Sequence, residues 1–201
     1  MDPKTTALVL VGYQNDYFAS DGILRGVVEN QGRVDTVLKN TVAFIDSIAS
    51  LEVAVFATPF FHDPNYRDQA ATVGILHSIK ESGAFRLGTT GAQTIPELLA
   101  MADRVTYLEG KCGFNAFATT TLDAALKARG IKDVLVAGMI TSLCIDSTAR
   151  AAYELGYTVS ILSDCTSGRT DTEQEFYCDK VFPLYGRVVN SPVLTAELRA
   201  G

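Results

Sequence analysis

One cysteine stands where a thiol can act as a nucleophile. Cys144 lies within Ala137–Ala149, after the apolar run Val134–Ala137 and before a helical pattern that ends near Gly156. This order places the thiol at the carboxyl end of a strand and in the first turn of a helix. The N–H groups and partial positive charge of a helix start favour a thiolate and can hold an oxyanion. The alternative is a small buried hydrophobe, the common role of a free cysteine.

A lysine follows a second, weaker strand pattern. Lys111 comes shortly after Arg104–Tyr107. If that strand joins the same sheet, the ammonium group lies at the same edge as the thiol. There it would lower the pKa of the thiol and stabilise developing negative charge. Taken alone, Lys111 is better explained as a solvated loop residue.

The elements that position these residues alternate along the chain. Short apolar runs rich in β-branched residues predict four strands, and two weaker runs complete a set of six: Ala7–Val11, Val53–Thr58, Arg104–Tyr107, Val134–Ala137, Thr158–Leu162 and Arg187–Val189. Apolar residues at helical spacing follow most of them, and a further short helix is predicted at Ile75–Glu81. The alternation predicts one α/β domain over residues 1–201, with a six-stranded parallel sheet covered by helices on both faces.

Composition narrows the class of protein. The 201 residues carry a net charge of −6 and no cluster of Lys and Arg, which argues against nucleic-acid binding. The sequence shows no secretory signal and no apolar stretch of the roughly 18 residues that a membrane helix needs, so we expect a cytoplasmic protein without membrane contact. The four cysteines match no zinc pattern and are expected to be reduced.

Three ordered motifs resemble the isochorismatase-like hydrolases. Gly12–Tyr17 follows the first strand where that family has Asp-x-Gln-x-Asp-Phe, Lys111–Phe117 matches its lysine segment, and Gly138–Ile145 matches Gly-x-x-Thr-x-x-Cys-Val. Gly156–Val159 and Asp164-Cys165 match its downstream pattern. The resemblance covers nearly the whole chain and is specific for the family, though not for a substrate.

The resemblance implies a doubly wound, Rossmann-like fold with Cys144 as nucleophile and Lys111 as its electrostatic partner. It also implies a cis peptide at Met139–Ile140 that aims the N–H groups of Ile140 and Cys144 at an oxyanion. Family members commonly form dimers or tetramers, so we expect a homodimer or homotetramer. The apolar segment Phe182–Val193 is compatible with such an interface.

Glycine replaces the family's acid. Gly12 occupies the position of the aspartate that accepts the proton of the thiol, and Asp16 matches the family's second aspartate. Three hypotheses are open. Gly12 is a substitution introduced by engineering; or the chemistry is altered, with Lys111 of lowered pKa, Asp16, Asp63 or a water relay as the proton acceptor; or the protein binds ligand and is a weak enzyme.

The sequence predicts a pocket without a metal. Nicotinamidases place Asp-x-His after the second strand, whereas here His62 and Asp63 are adjacent and only His77 remains as a further histidine. We therefore expect no catalytic metal and no cofactor. We predict that the small-molecule substrate is bound by residues near the sheet edge, namely Tyr17, Phe60, Phe61 and Asn115.

The predicted activity is hydrolysis of a small amide or related C–N bond through a Cys144 thioester, with a modified proton-transfer partner. One alternative is isochorismate-type vinyl-ether hydrolysis, which depends on the acid that Gly12 lacks. Another is a poorly active, ligand-binding homologue. A dinucleotide binder is disfavoured because Gly12–Asp16 lacks the later glycines of G-x-G-x-x-G.

Overall fold

The computed structural model describes residues 1–63 and 73–200. Its strands are β1 (Thr6–Val11), β2 (Ala54–Thr58), β3 (Thr106–Tyr107), β4 (Asp133–Met139), β5 (Thr158–Ser167) and β6 (Arg187–Val189). Its helices are α1 (Asn15–Phe18), α2 (Gln31–Ser47), α3 (Ile75–Ser82), α4 (Pro96–Leu99), α5 (Leu122–Ala128), α6 (Asp146–Glu154), α7 (Asp171–Phe176) and α8 (Ser191–Ala200). Within this part of the chain, no helix has the length and apolar character needed to cross a bilayer.

The six strands form one parallel sheet in the order β3-β2-β1-β4-β5-β6. The predicted α/β fold with six parallel strands is therefore confirmed. The largest differences lie at strand ends, where β3 keeps only two of its four predicted residues and β5 continues five residues past Leu162 to Ser167. β3 is an edge strand with one neighbour, so fewer ladder hydrogen bonds fix its length.

Side chains of the central strand pack into two separate apolar cores, one on each face of the sheet. Leu8 and Leu10 of β1 face a core that includes α2 and α8, whereas Val9 and Val11 face a core that includes α5 and α6. All six residues of β1 are buried. This burial on both faces explains why β1 reads as a continuous apolar run rather than as an alternating one.

The strand order reverses at β1, which lies between β2 and β4. In an open parallel sheet, the connections from two adjacent strands then leave in opposite directions and open a crevice at the carboxyl ends. The segments after β1 and β4 begin at Gly12 and Ile140 respectively. The fold thus brings the first and third sequence motifs to one site.

Candidate active site

The nucleophile segment begins with an irregular helical turn. The peptide bond between Met139 and Ile140 is cis. A π-helical turn, Thr141–Ile145, follows, in which the Ile145 N–H donates to the Ile140 carbonyl at 3.2 Å, and α6 continues it. Cys144 therefore lies in the first turn of a helical segment that starts at Thr141, a few residues earlier than the sequence pattern predicted. Its side chain is 9% exposed.

Gln174 of α7 ties this turn to the end of β5. Its Oε1 accepts hydrogen bonds from the Thr141 hydroxyl at 2.5 Å and from the Gly168 N–H at 2.8 Å, and its Nε2 donates to the Thr166 hydroxyl at 3.1 Å. Gln174 is buried. A single glutamine in a polar helix gave no sequence signal, so this positioning residue was not predicted.

Lys111 is fixed by the end of the second strand. Phe60 and Lys111 form a parallel bridge, and the Phe61 N–H donates to the Lys111 carbonyl at 3.1 Å. The ammonium Nζ lies 3.6 Å from Cys144 Sγ, donates to the Gly113 carbonyl, and sits 4.3 Å from the centroid of the Phe60 ring. A backbone carbonyl and an aromatic face thus surround the cation where a carboxylate would be the ordinary partner.

Burial governs the charge of this lysine. Lys111 is 1% exposed, and burial lowers the pKa of its ammonium group, while the neighbouring Cys144 opposes that shift. Among the described residues, no carboxylate forms an ion pair with Lys111. A lysine in this setting gives up its proton more readily than one in water.

Gly12 adopts a backbone conformation that suits glycine. Its φ is +78°, and a Cβ added there would lie 2.9 Å from the Met139 carbonyl oxygen and 3.4 Å from Cε2 of Tyr17. Side chains rarely adopt this φ, and the carbonyl is part of the backbone at the cis peptide. The local chain path is therefore poorly suited to the aspartate that the family resemblance predicts at this position.

Two polar residues after β1, Gln14 and Asp16, position two aromatic residues of the site. The Gln14 amide donates to the Phe60 carbonyl at 2.8 Å and accepts from the Phe60 N–H at 2.7 Å. The Asp16 carboxylate accepts from the Phe85 N–H at 2.6 Å. The Phe60 and Phe85 rings meet edge to face, with centroids 5.0 Å apart. Gln14 and Asp16 are thus structural anchors rather than simple turn formers.

Several predicted residues line one narrow cavity, and others lie outside its lining. Gly12, Tyr17, Phe60, Lys111, Met139 and Cys144 line it. Asp16, Phe61, Asn115 and Ile140 are not part of the lining. The Asn115 side chain instead accepts from the Phe117 N–H at 2.8 Å, in its own loop. Burial raises the pKa of the Tyr17 hydroxyl, so it faces the cavity as a neutral phenol.

An apolar helix completes the cavity and was not predicted as part of the site. Ile75, Leu76 and Ile79 of α3 line it together with Phe85, Phe114 and Leu143. The helix was expected from its sequence, and the spacing of these three residues places them on one face. The sequence did not predict that this face of α3 would line the cavity beside Cys144.

The two histidines lie in different settings. His62 is buried with its ring 4.3 Å from that of Phe60, while His77 is exposed on α3. Within residues 1–63 and 73–200, no group of three His, Cys, Asp or Glu side chains is arranged to hold a metal ion.

The fold and this pair of side chains define a class of α/β hydrolase. Residues 6–192 match the isochorismatase domain, and the chain belongs to the isochorismatase family.

Relatives with similar sequences fall in the same family. An uncharacterized isochorismatase family protein, YwoC of Bacillus subtilis, is 31% identical over 53% of this chain and 56% of its own length. A probable inactive nicotinamidase of Arabidopsis thaliana is 25% identical over 95% of this chain and 93% of its own. The ureidoacrylate amidohydrolase RutB of Rhizobium rhizogenes is 28% identical over 83% of this chain and 72% of its own.

A solved structure shows the same fold. A cysteine hydrolase from Pseudomonas syringae pv. phaseolicola 1448A superposes with a TM-score of 0.83 over 100% of this chain and 95% of that chain, at 17% identity. At this level of identity the similarity concerns the architecture, while the chemistry has to be argued from the side chains.

Proposed function

We propose that this protein hydrolyses a small amide or related C–N bond through a thioester on Cys144, with Lys111 in place of a carboxylate as the proton-transfer partner. The observation that carries the proposal is the 3.6 Å separation of Lys111 Nζ and Cys144 Sγ inside a cavity whose described lining contains no carboxylate. The names of two relatives, an amidohydrolase and a probable inactive nicotinamidase, are consistent with C–N bonds as the target.

The first half of the reaction forms the thioester. Neutral Lys111 takes the proton of the Cys144 thiol, and the thiolate sulfur attacks the carbonyl carbon of the amide. The carbonyl oxygen becomes an oxyanion, for which the N–H groups of Ile140 and Cys144 are the proposed donors. When the tetrahedral intermediate collapses, the C–N bond breaks and the leaving nitrogen takes the proton back from the Lys111 ammonium.

The second half releases the acid. Lys111, neutral again, takes a proton from a water molecule as the water oxygen attacks the thioester carbonyl. The C–S bond then breaks, the carboxylic acid leaves, and the thiolate is restored beside the Lys111 ammonium. One lysine thus serves as base in both halves and as acid in the first, which requires a pKa closer to neutrality than that of an exposed lysine. Burial lowers the Lys111 pKa in that direction.

Asp16 is the less suitable acceptor. Its carboxylate is bound to the Phe85 N–H at 2.6 Å and does not belong to the cavity lining. Moving it toward Cys144 would leave that buried N–H without its acceptor. Isochorismate-type hydrolysis is likewise disfavoured as a proposal, since the acid on which it depends is replaced by Gly12.

The chemical test is acyl-enzyme formation. The protein is mixed with a panel of primary amides and activated esters, quenched in acid, and examined by mass spectrometry of the intact chain and its peptides. We expect one acyl group on Cys144 and none in Cys144→Ala. A chain that binds these compounds but forms no adduct at any pH would instead be the poorly active, ligand-binding homologue.

We further propose that the chain acts in the cytoplasm, as one domain, in a homodimer or homotetramer. The four cysteines form no disulfide, as suits a reducing compartment. Phe182, at the start of the apolar segment that is compatible with an interface, packs in the core, whereas Leu184 is 78% exposed. Light scattering on Leu184→Asp and the parent protein tests the assembly, with a loss of mass expected for the variant.

A further inference from the structure

Apart from Lys111, Cys144 and Tyr17, the side chains that line the cavity are hydrocarbon, thioether or glycine. The α3 helix supplies one wall of it, through Ile75, Leu76 and Ile79. Two of the three ionisable side chains, Lys111 and Cys144, form the reactive pair. The third, Tyr17, remains a neutral phenol. No cation or anion of the described lining is therefore left over to meet a charged group on a substrate.

The α3 wall is built into the fold. Ile79 is 4% exposed, whereas His77 and Glu81, on the opposite side of the helix, are exposed. The helix ends at a left-handed Gly83, and the Ala84 N–H donates to the Ile79 carbonyl at 3.2 Å. The next residue is Phe85, whose N–H is held by the Asp16 carboxylate.

The narrowness and the polarity of the cavity together select a substrate, because little open space lies between its lining residues. A carboxylate placed against Leu76 and Ile79 would lose its hydration without gaining a hydrogen bond or a counter-charge, which opposes binding. Each methylene placed there instead favours binding by about fourfold, from the free energy of burying a CH₂ group.

We infer that the acyl part of the substrate is a small, uncharged hydrocarbon group that packs against the α3 face formed by Ile75, Leu76 and Ile79. The inference rests on the proposed function, because it assigns this wall as the acyl-binding side of the Cys144 site. It names a substrate class that the family membership alone leaves open, and it excludes acyl groups that end in a carboxylate.

Binding is measured without catalysis by two ketones of nearly the same shape. 5-Methylhexan-2-one ends in an isopropyl group, and 4-oxopentanoate ends in a carboxylate. Each is tested for protection of Cys144 against alkylation by iodoacetamide. We expect 5-methylhexan-2-one to protect at a concentration at least tenfold lower. Equal protection, or better protection by 4-oxopentanoate, overturns the inference.

A positive charge introduced on the α3 face should remove the preference for the neutral ketone over 4-oxopentanoate. Leu76 is half-buried at the cavity, so Leu76→Arg can place its guanidinium near the bound acyl group. We expect the preference for the neutral ketone to fall at least tenfold. The matched control is Leu99→Arg, at a residue that is 52% exposed and outside the cavity lining, and it should leave the preference unchanged. An unchanged preference in folded Leu76→Arg overturns the assignment of the wall.

Turnover separates this inference from the proposed function. Ammonia release is followed with 4-methylpentanamide and with succinamate, the amides that correspond to the two ketones. A kcat/KM for 4-methylpentanamide that is at least tenfold higher than that for succinamate supports both the acyl class and the proposed hydrolysis. Faster hydrolysis of succinamate supports hydrolysis and overturns the acyl class. If the neutral ketone protects but neither these amides nor activated esters acylate Cys144, the apolar site stands and the proposed hydrolysis fails.

Discussion

Lys111 Nζ lies 3.6 Å from Cys144 Sγ, and its other contacts are the Gly113 carbonyl and the Phe60 ring. A buried ammonium group near a thiol stabilises the thiolate, while the absence of a paired carboxylate among the described residues allows burial to lower the pKa of the amine. The same lysine can therefore accept the proton of the thiol and hold the resulting ion pair.

Removal of the nucleophile should abolish turnover. Cys144→Ala is expected to lower kcat/KM at least about a thousandfold, because no other thiol faces the cavity. Cys165→Ala is the matched control. Burial raises the pKa of the Cys165 thiol to about 12, which keeps that thiol unreactive. Equal losses in the two variants would argue against Cys144 as the nucleophile.

The reactivity of the thiol should depend on the lysine. In Lys111→Met, we expect the alkylation rate of Cys144 by iodoacetamide at neutral pH to fall about tenfold or more, because the thiolate loses the cation that lies 3.6 Å from it. The measurement is the alkylation rate as a function of pH. Lys127→Met serves as the control, since Lys127 is an exposed partner of Asp123 on α5. If Lys111→Met left the pH profile of alkylation unchanged, Lys111 would not control the reactivity of Cys144.

The buried lysine should also make stability depend on pH. Its folded-state pKa lies below the unfolded value of about 10.4, so between these two values the unfolded chain binds more protons and stability rises with pH. At pH values below the folded-state pKa, the folded protein bears the full free-energy cost of burying the charged Lys111 ammonium group. Lys111→Met should therefore raise the free energy of unfolding at neutral pH by about 1 kcal/mol or more. This advantage should shrink as the pH approaches 10.4, as measured by urea unfolding. An advantage that grows with pH would contradict the lowered pKa.

Introducing at position 12 the aspartate that the family resemblance predicts should not increase turnover greatly. Gly12→Asp places a Cβ where φ is +78° and where the Met139 carbonyl oxygen is 2.9 Å away. We expect a loss of about 1–3 kcal/mol of stability and no large gain in turnover. Gly12→Ala introduces the same Cβ without the carboxylate, so the two variants together separate strain from chemistry. Tenfold faster turnover in a fully stable Gly12→Asp would show that the site lacks only its acid.

The sequence predicted the sheet well because its signals are local. β1, β2, β4 and β5 are buried, and their own residues are therefore apolar enough to be recognised in the sequence. The order of the motifs follows the order of the strands. β3 was less well predicted, because only two residues of this edge strand pair with β2.

The candidate site was predictable only where its residues follow a strand end. Cys144 and Lys111 do so, and the structure places them in contact. The roles of Gln174 and Leu76 depend on packing between segments far apart in the chain, for which no spacing rule exists. Asp16 illustrates the same limit, because the sequence shows a carboxylate near the site but not the Phe85 N–H that holds it.

The most direct test of the account is the pH dependence of acyl-enzyme formation. A quenched reaction with p-nitrophenyl butyrate is followed by intact mass in the parent protein and in Lys111→Met. We expect one butyryl group on Cys144 at neutral pH in the parent protein. In Lys111→Met we expect adduct formation to be at least about a hundredfold slower and to recover only at alkaline pH, where a free thiol ionises. Equal rates in the two proteins at neutral pH, or an acyl group on any residue other than Cys144, would contradict it.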